Sequence, residues 1–84
     1  VAKLIGVDVE TKAKAPSFKE AQTFVGGYVE TVSIPGGAVL LVNEDGIAKR
    51  LPLNVTASAI ARRPIVGPAI LLETKAEVRK TLGE

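Results

Sequence analysis

The chain has 84 residues, 46% of them hydrophobic, a formal net charge of +2, and neither cysteine nor histidine. That composition excludes a disulfide scaffold, a thiolate or imidazole metal site, and the Ser-His-Asp and Cys-His routes to a nucleophile. It leaves room for a single small α+β domain of modest stability, and the charge is too low to argue for nucleic acid by itself.

Only Phe18, Phe24 and Tyr28 are aromatic, so the core must be built from Val, Ile, Leu and Ala. Such a core suits strands, and a partner subunit would add buried area. No run approaches the ~20 apolar residues of a membrane span, and no secretory leader is visible, so a cytoplasmic location without membrane contact is expected. The basic residues fall in scattered pairs: Lys12 with Lys14, Lys49 with Arg50, Arg62 with Arg63, and Arg79 with Lys80. Each pair alone reads as solvated surface.

In chain order, Ala2 to Glu10 reads as a first strand, with Leu4, Ile5, Val7 and Val9 as its apolar residues. Thr11 to Pro16 is a polar connection. Ser17 is a helix N-cap, and Glu20 three residues later completes a capping box. Phe18, Ala21, Phe24 and Val25 then fall on one helical face, which would pin both phenylalanines against a sheet. Gly26 is the expected C-cap, since glycine accepts a positive φ. Tyr28 to Pro35 has the alternation of a strand, with Tyr28, Glu30, Val32 and Ile34 on one side.

Pro35-Gly36-Gly37 is a tight turn, and Ala38 to Val42 is wholly apolar, as a central strand requires. Asn43-Glu44-Asp45-Gly46 reads as a hairpin turn whose Asp-Gly pair suits left-handed positions. Ile47 to Leu51 would then return as a short strand, giving an antiparallel meander of 28–34, 38–42 and 47–51. After Pro52, Asn54 or Thr56 can cap a short helix ending at Arg62, Arg63 and Pro64; an irregular loop is the alternative. Ile65 to Leu72 is an apolar strand broken by Gly67-Pro68, and the proline places that point on an edge or a bulge. Thr74 and Glu77 offer a second capping box for a segment 74–82 that reads as helix or strand. The expected fold is thus a small, mostly antiparallel sheet with an N-terminal strand, one packed helix, and a short second helix or loop.

The segments Val25-Gly26-Gly27-Tyr28-Val29-Glu30, Pro35-Gly36-Gly37, Leu41-Val42-Asn43-Glu44-Asp45-Gly46, Leu51-Pro52-Leu53-Asn54 and Ile65-Val66-Gly67-Pro68 stand in an order and spacing that resemble the DUF3846 family. The resemblance runs from about Ser17 to Leu72. It departs over Val55 to Ile60, where the family often has a basic residue and a short polar loop, and in the tail after Leu72. It implies a small bacterial or phage protein of unknown function with an accessory role, and it carries over no catalytic residue.

Several residues invite a functional reading beside a structural one. Gly26-Gly27 sits at a helix carboxyl end, where the dipole repels anions, so a cap is the better role than a phosphate cradle. Tyr28 reads as half-buried core, with base stacking or partner contact as the alternative. Asn43, Glu44 and Asp45 read as turn residues rather than a cation site. Asp8, Glu10 and Glu30 would be paired carboxylates only if their strands converged.

Arg62 and Arg63 are the strongest ligand-binding candidates by chemistry, with Lys49, Arg50 and Tyr28 beside them as candidate nucleic-acid or partner contacts. Ser17, Glu20, Gly26, Gly27, Gly46, Asn54, Gly67 and Pro68 are assigned structural roles. No catalytic set, cofactor or metal is expected. The leading function is a non-enzymatic interaction module, with self-association, another protein or nucleic acid as the partner. A nucleic-acid-binding accessory protein would join Lys49, Arg50, Arg62, Arg63, Arg79 and Lys80 on one face. A small-ligand sensor or enzyme would place Glu30, Tyr28 or Asp8 in a concave pocket.

Overall fold

A computed structural model describes residues 1–83. The elements run β1 (Ala2–Ile5), β2 (Glu10–Ala13), α1 (Phe18–Val25), β3 (Val29–Ser33), β4 (Val39–Asn43), α2 (Val55–Ala61), β5 (Ala69–Leu72) and α3 (Lys75–Leu82). The strands form one sheet in the order β2-β1-β5-β4-β3, and every neighbouring pair is antiparallel. The fold is α+β.

The last strand lies at the centre of the sheet. Ala69-Ile70-Leu71-Leu72 is buried at every position. A strand with no polar side must be covered on both faces, so β5 inserts between β1 and β4. Leu4 opposite Ile70 and Leu41 opposite Ile70 set the register.

That register sorts the core into two layers. Ala2, Leu41, Ile70 and Leu72 join Ala15, Ala21 and Val25 on the side covered by α1 and α3. Ile5, Val32, Leu40, Val42, Ala69 and Leu71 join Ala57 and Ile65 on the side covered by α2. The fully buried Ile5, Leu40, Leu41, Ile70 and Leu72 each contribute about 1.5–3 kcal/mol of apolar burial.

The first strand is shorter than the sequence pattern indicates. Gly6 N–H donates to Val9 O at 2.7 Å, the chain reverses over Val7-Asp8, and Glu10 to Ala13 returns beside β1 as a hairpin. The apolar Val7 and Val9 continue the alternation across the turn and conceal it. Val9 is 67% exposed.

The meander has a different third strand. Residues 44–50 form consecutive turns closed by Gly46 N–H to Asn43 O, Lys49 N–H to Asp45 O and Leu51 N–H to Gly46 O. The positive φ in this stretch belongs to Arg50, at 55°, and not to the Asp45-Gly46 pair. Ile47 is exposed, and the neighbour of β4 is β5, because only β5 can fill an interior position with apolar residues on both faces.

Pro68 immediately precedes central β5 and lies outside its ladder, so its missing donor is tolerated without an edge or a bulge. Segment 55–61 is a helix, not a loop. Segment 75–82 is a helix, because Thr74 and Glu77 close a capping box and Gly83 caps its end. In α1 only the later turns, at Ala21 and Val25, reach the sheet, so Phe24 is half-buried while Phe18 stays 45% exposed.

Candidate functional site

Several of the polar residues singled out by sequence are committed to holding the backbone. Ser17 Oγ accepts from Glu20 N–H, and Glu20 Oε1 accepts from Ser17 N–H at 2.9 Å, which closes the capping box of α1. Gly26 takes φ 86°, and the N–H groups of Gly26 and Gly27 both donate to Gln22 O. The carbonyls at and just beyond this helix end meet the last residue of β4 and the segment after it. Buried Asn43 donates through Nδ2 to Val25 O at 3.0 Å, Lys49 Nζ reaches Gly26 O at 3.4 Å, and Glu44 N–H donates to Tyr28 O at 2.9 Å.

A Cβ at Gly27 would stand 3.2 Å from both Asn43 Nδ2 and Lys49 Nζ. The two sequence segments around Gly26-Gly27 and Asn43-Gly46 are therefore one interlocked corner.

The segments Leu51-Pro52-Leu53-Asn54 and Ile65-Val66-Gly67-Pro68 interlock likewise. Asn54 is fully buried; its Nδ2 donates to Ile5 O and Gly67 O at 2.9 Å each, and its Oδ1 accepts from Ala57 N–H. Gly67 N–H donates to Pro52 O at 2.7 Å. Gly67 has φ 79°, and a Cβ there would come within 2.6 Å of Leu51 Cδ1. At Gly46 the constraint is space and not φ, since a Cβ would meet Val66 Cγ2 at 2.9 Å.

An apolar-lined groove lies on the α1 side. It has a volume of about 910 Å³ and runs between the β1–β2 hairpin and α1. Leu4, Ala13, Ala15, Pro16 and Phe24 form its apolar lining, and Lys14, Lys19 and Lys80 border it. Thr81, which is buried, donates to Pro16 O at 2.7 Å and so fixes the groove's Pro16 wall to α3. Glu20 also lines the groove, but one of its oxygens is held by the capping box. Among the described residues, no carboxylate pairs with Lys14, Lys19 or Lys80.

Two shallower recesses continue the groove. One shares Lys14 and Lys80 and ends at Val1 and Glu77. There the Val1 ammonium lies 2.9 Å from Glu77 Oε2. This contact, helped by the amides of Glu73 and Thr74, holds the Glu77 carboxyl below the usual carboxylate range against the opposing effect of burial. The other recess shares Lys19 and Thr23 and ends at Tyr28, Asp45 and Lys49. Lys80, Lys14, Lys19 and Lys49 are thus strung along one continuous surface with Phe24 and Tyr28 beside them.

Tyr28 is 70% exposed, so the core role expected for it gives way to a surface one. Of the expected contact residues, Tyr28 and Lys49 come together, and Lys80 joins the same surface. Arg62 and Arg63 do not. Arg62 caps the carboxyl end of α2 with φ 58°, and α2 packs on the opposite face of the sheet. Arg63 lines a different recess with Glu30 and Glu44, which shares only Asp45 with the recess of Tyr28 and Lys49. Arg50 occupies the positive-φ position that closes the turns after β4.

Tyr28 and Glu30 line different recesses, and Asp8 lies on the β1–β2 turn. Sequence reasoning missed Lys14 and Lys19 as partners of Lys80, because the docking of α3 against Pro16 brings them together. The one local signal was that Lys14 precedes the Ser17–Glu20 capping box of α1 and Lys19 lies within it.

Among the described residues there is no group of three or more Asp, Glu, Cys or His side chains placed to hold a metal ion, and no helix is long and apolar enough to cross a membrane. No curated protein and no solved structure matches the chain. The family model described as a domain of unknown function, DUF3846, matches residues 3–83, which takes in every strand and every helix but the first residue of β1. That span covers nearly the whole sequence, and the chain belongs to the DUF3846 family.

Proposed function

We propose that this protein is a non-enzymatic interaction module that holds an acidic polypeptide segment with apolar anchors along the α1 groove. The observation that carries this reading is the groove itself: an apolar lining of Leu4, Ala13, Ala15, Pro16 and Phe24 under the ammonium groups of Lys14, Lys19 and Lys80. Apolar side chains would lose water against the lining while carboxylates meet the lysines, and lysine on its long stem tolerates varied carboxylate positions. The family resemblance adds the setting, an accessory role inside a bacterial cell or a phage-infected host.

Fluorescence anisotropy with a labelled peptide of alternating Leu and Glu, against one of alternating Leu and Lys, tests it. The acidic peptide should bind, bind more weakly as salt rises, and lose most of its affinity in a Lys14→Glu, Lys19→Glu, Lys80→Glu variant. Equal binding of both peptides, or no response to the triple substitution, overturns it.

A second reading has its own observation. Tyr28 stands exposed next to Lys49 at the end of the lysine row, an arrangement suited to stacking one base while lysines follow a phosphate chain. Single-stranded DNA and RNA in the same titration, repeated with Tyr28→Ala, decide between the two. Nucleic-acid binding that depends on Tyr28 favours this alternative, and a flat titration removes it.

A further inference from the structure

We infer that the outer edge of β2 is a self-complementary surface on which a second copy of this chain docks, joining two sheets into one continuous ten-stranded sheet. This inference is independent of any ligand in the groove.

β2 ends the sheet, with β1 as its single neighbour. The Gly6–Val9 hydrogen bond closes the hairpin, and hydrogen-bonded and non-hydrogen-bonded pairs alternate along an antiparallel ladder. Leu4 with Thr11 and Ala2 with Ala13 are therefore the hydrogen-bonded pairs. Glu10 and Lys12 turn their N–H and C=O groups the other way, out to the open edge. Such an edge is a template for another strand.

Charge selects the register. Two copies of β2 that meet antiparallel about a two-fold axis can centre on Glu10, Thr11 or Lys12. Centring on Glu10 or on Lys12 sets like charges directly opposite each other. Centring on Thr11 sets Glu10 opposite the second copy's Lys12, twice. It also matches outward backbone groups with outward backbone groups, so both pairs are hydrogen-bonded. An isologous contact of this kind closes on itself and forms no fibre.

The side chains agree on both faces. In the isolated chain Lys3 and Lys12 stand directly opposite across β1 and β2, an unfavourable cross-strand pair. Lys3 finds Glu10 at 3.6 Å, while no carboxylate among the described residues pairs with Lys12. The second copy's Glu10 supplies one. On the other face, exposed Val9 comes opposite the second copy's Ala13, which lines the α1 groove, so the groove of each copy gains an apolar border from its neighbour.

Sedimentation velocity over a wide concentration range tests the inference with the protein alone. The chain should dimerise. Glu10→Lys alone and Lys12→Glu alone should each weaken the dimer about tenfold or more, since two attractive pairs become repulsive. Mixing the two variants should restore association as a heterodimer, and the double exchange Glu10→Lys with Lys12→Glu should restore the homodimer. Lys12→Pro removes an outward N–H, so it should abolish dimerisation while circular dichroism stays native.

Register is read separately. The chain has no cysteine, so Thr11→Cys should give a disulfide-linked dimer on mild oxidation, and Thr31→Cys on the opposite edge strand should not. A chain that stays monomeric at the highest concentration overturns the inference. So does a dimer indifferent to the charge exchange, or one that crosslinks through Thr31→Cys instead.

Discussion

Asn54 illustrates how single residues hold this small protein together. Its carboxamide links three separate pieces of backbone: the end of β1, the start of α2 and the Gly67 turn before β5. Replacing it with alanine strands two buried carbonyls and one amide. Asn54→Ala should therefore cost about 3 kcal/mol or more, visible as a lower urea midpoint. Asn54→Asp should cost more at neutral pH, because a carboxylate would face the carbonyls of Ile5 and Gly67 and has no proton to donate.

Glu77 makes the corresponding point for charge. Its folded carboxyl is held below its ordinary value, first by the Val1 ammonium and then by the amides of Glu73 and Thr74. A carboxyl lowered on folding contributes stability that is fully present above the ordinary carboxylate range. That stability is lost as pH falls through the range toward the lowered value. A carbon-detected titration should place Glu77 below the ordinary value of a glutamate, and acetylating the Val1 amine should move it back up.

At the scale of elements, the helix ends decide where each segment stops. All three helices start on a side chain that accepts an amide hydrogen bond three residues later, at Ser17, Asn54 and Thr74. The first and third end on glycines in the left-handed conformation. Their cost of substitution should differ from that of Gly67 by mechanism. Gly26→Ala meets no crowding in the backbone and should cost about 1 kcal/mol, from its positive φ alone. Gly67→Ala combines a positive φ with a Cβ 2.6 Å from Leu51 and should cost clearly more. Thermal melts of the two variants, side by side, give the comparison.

The helix signals were legible in the sequence because caps are local: the acceptor and donor lie three residues apart. The hairpin turn at Val7-Asp8 was not, since two valines carried the strand pattern through it. The strand expected at 47–51 failed for a related reason. Its Asp-Gly signal is a hairpin signal only when the next segment can pair, and here a better strand arrives from 22 residues further along the chain.

For the whole molecule, the centre of the sheet is filled by the last strand in the sequence. β5 pairs with β1 from the opposite end of the sequence, Leu4 beside Ile70, and with β4 on its other side. Amide exchange should follow that layout. The amides of β4 and β5 should exchange slowest and those of β2 among the fastest of the strands, since an edge strand opens without disturbing the core. If the chain dimerises through β2, the outward amides of Glu10 and Lys12 should become protected as concentration rises. The lysine-bordered groove also belongs to this scale. Lys14 and Lys19 precede and open α1, whereas Lys80 arrives with α3 and Lys49 with the turns after β4.

What the sequence determined by itself is what short-range chemistry can specify: the absence of thiol and imidazole sites, the capping box at Ser17 and the capping-box signal at Thr74, the Gly26 helix end, apolar strands over 38–42 and 65–72 that the structure sets at Val39–Asn43 and Ala69–Leu72, and the family. The choice between Asn54 and Thr56 as the cap of α2 it left open. The tertiary structure alone decided the strand order, the exposure of Tyr28, the separation of Arg62 and Arg63 from Lys49, and the row of lysines beside the groove. The physical reason is distance along the chain. A cap or a turn is settled within a few residues, whereas a surface is settled by which faces the core leaves uncovered, and that follows from packing β5 between strands at opposite ends of the sequence.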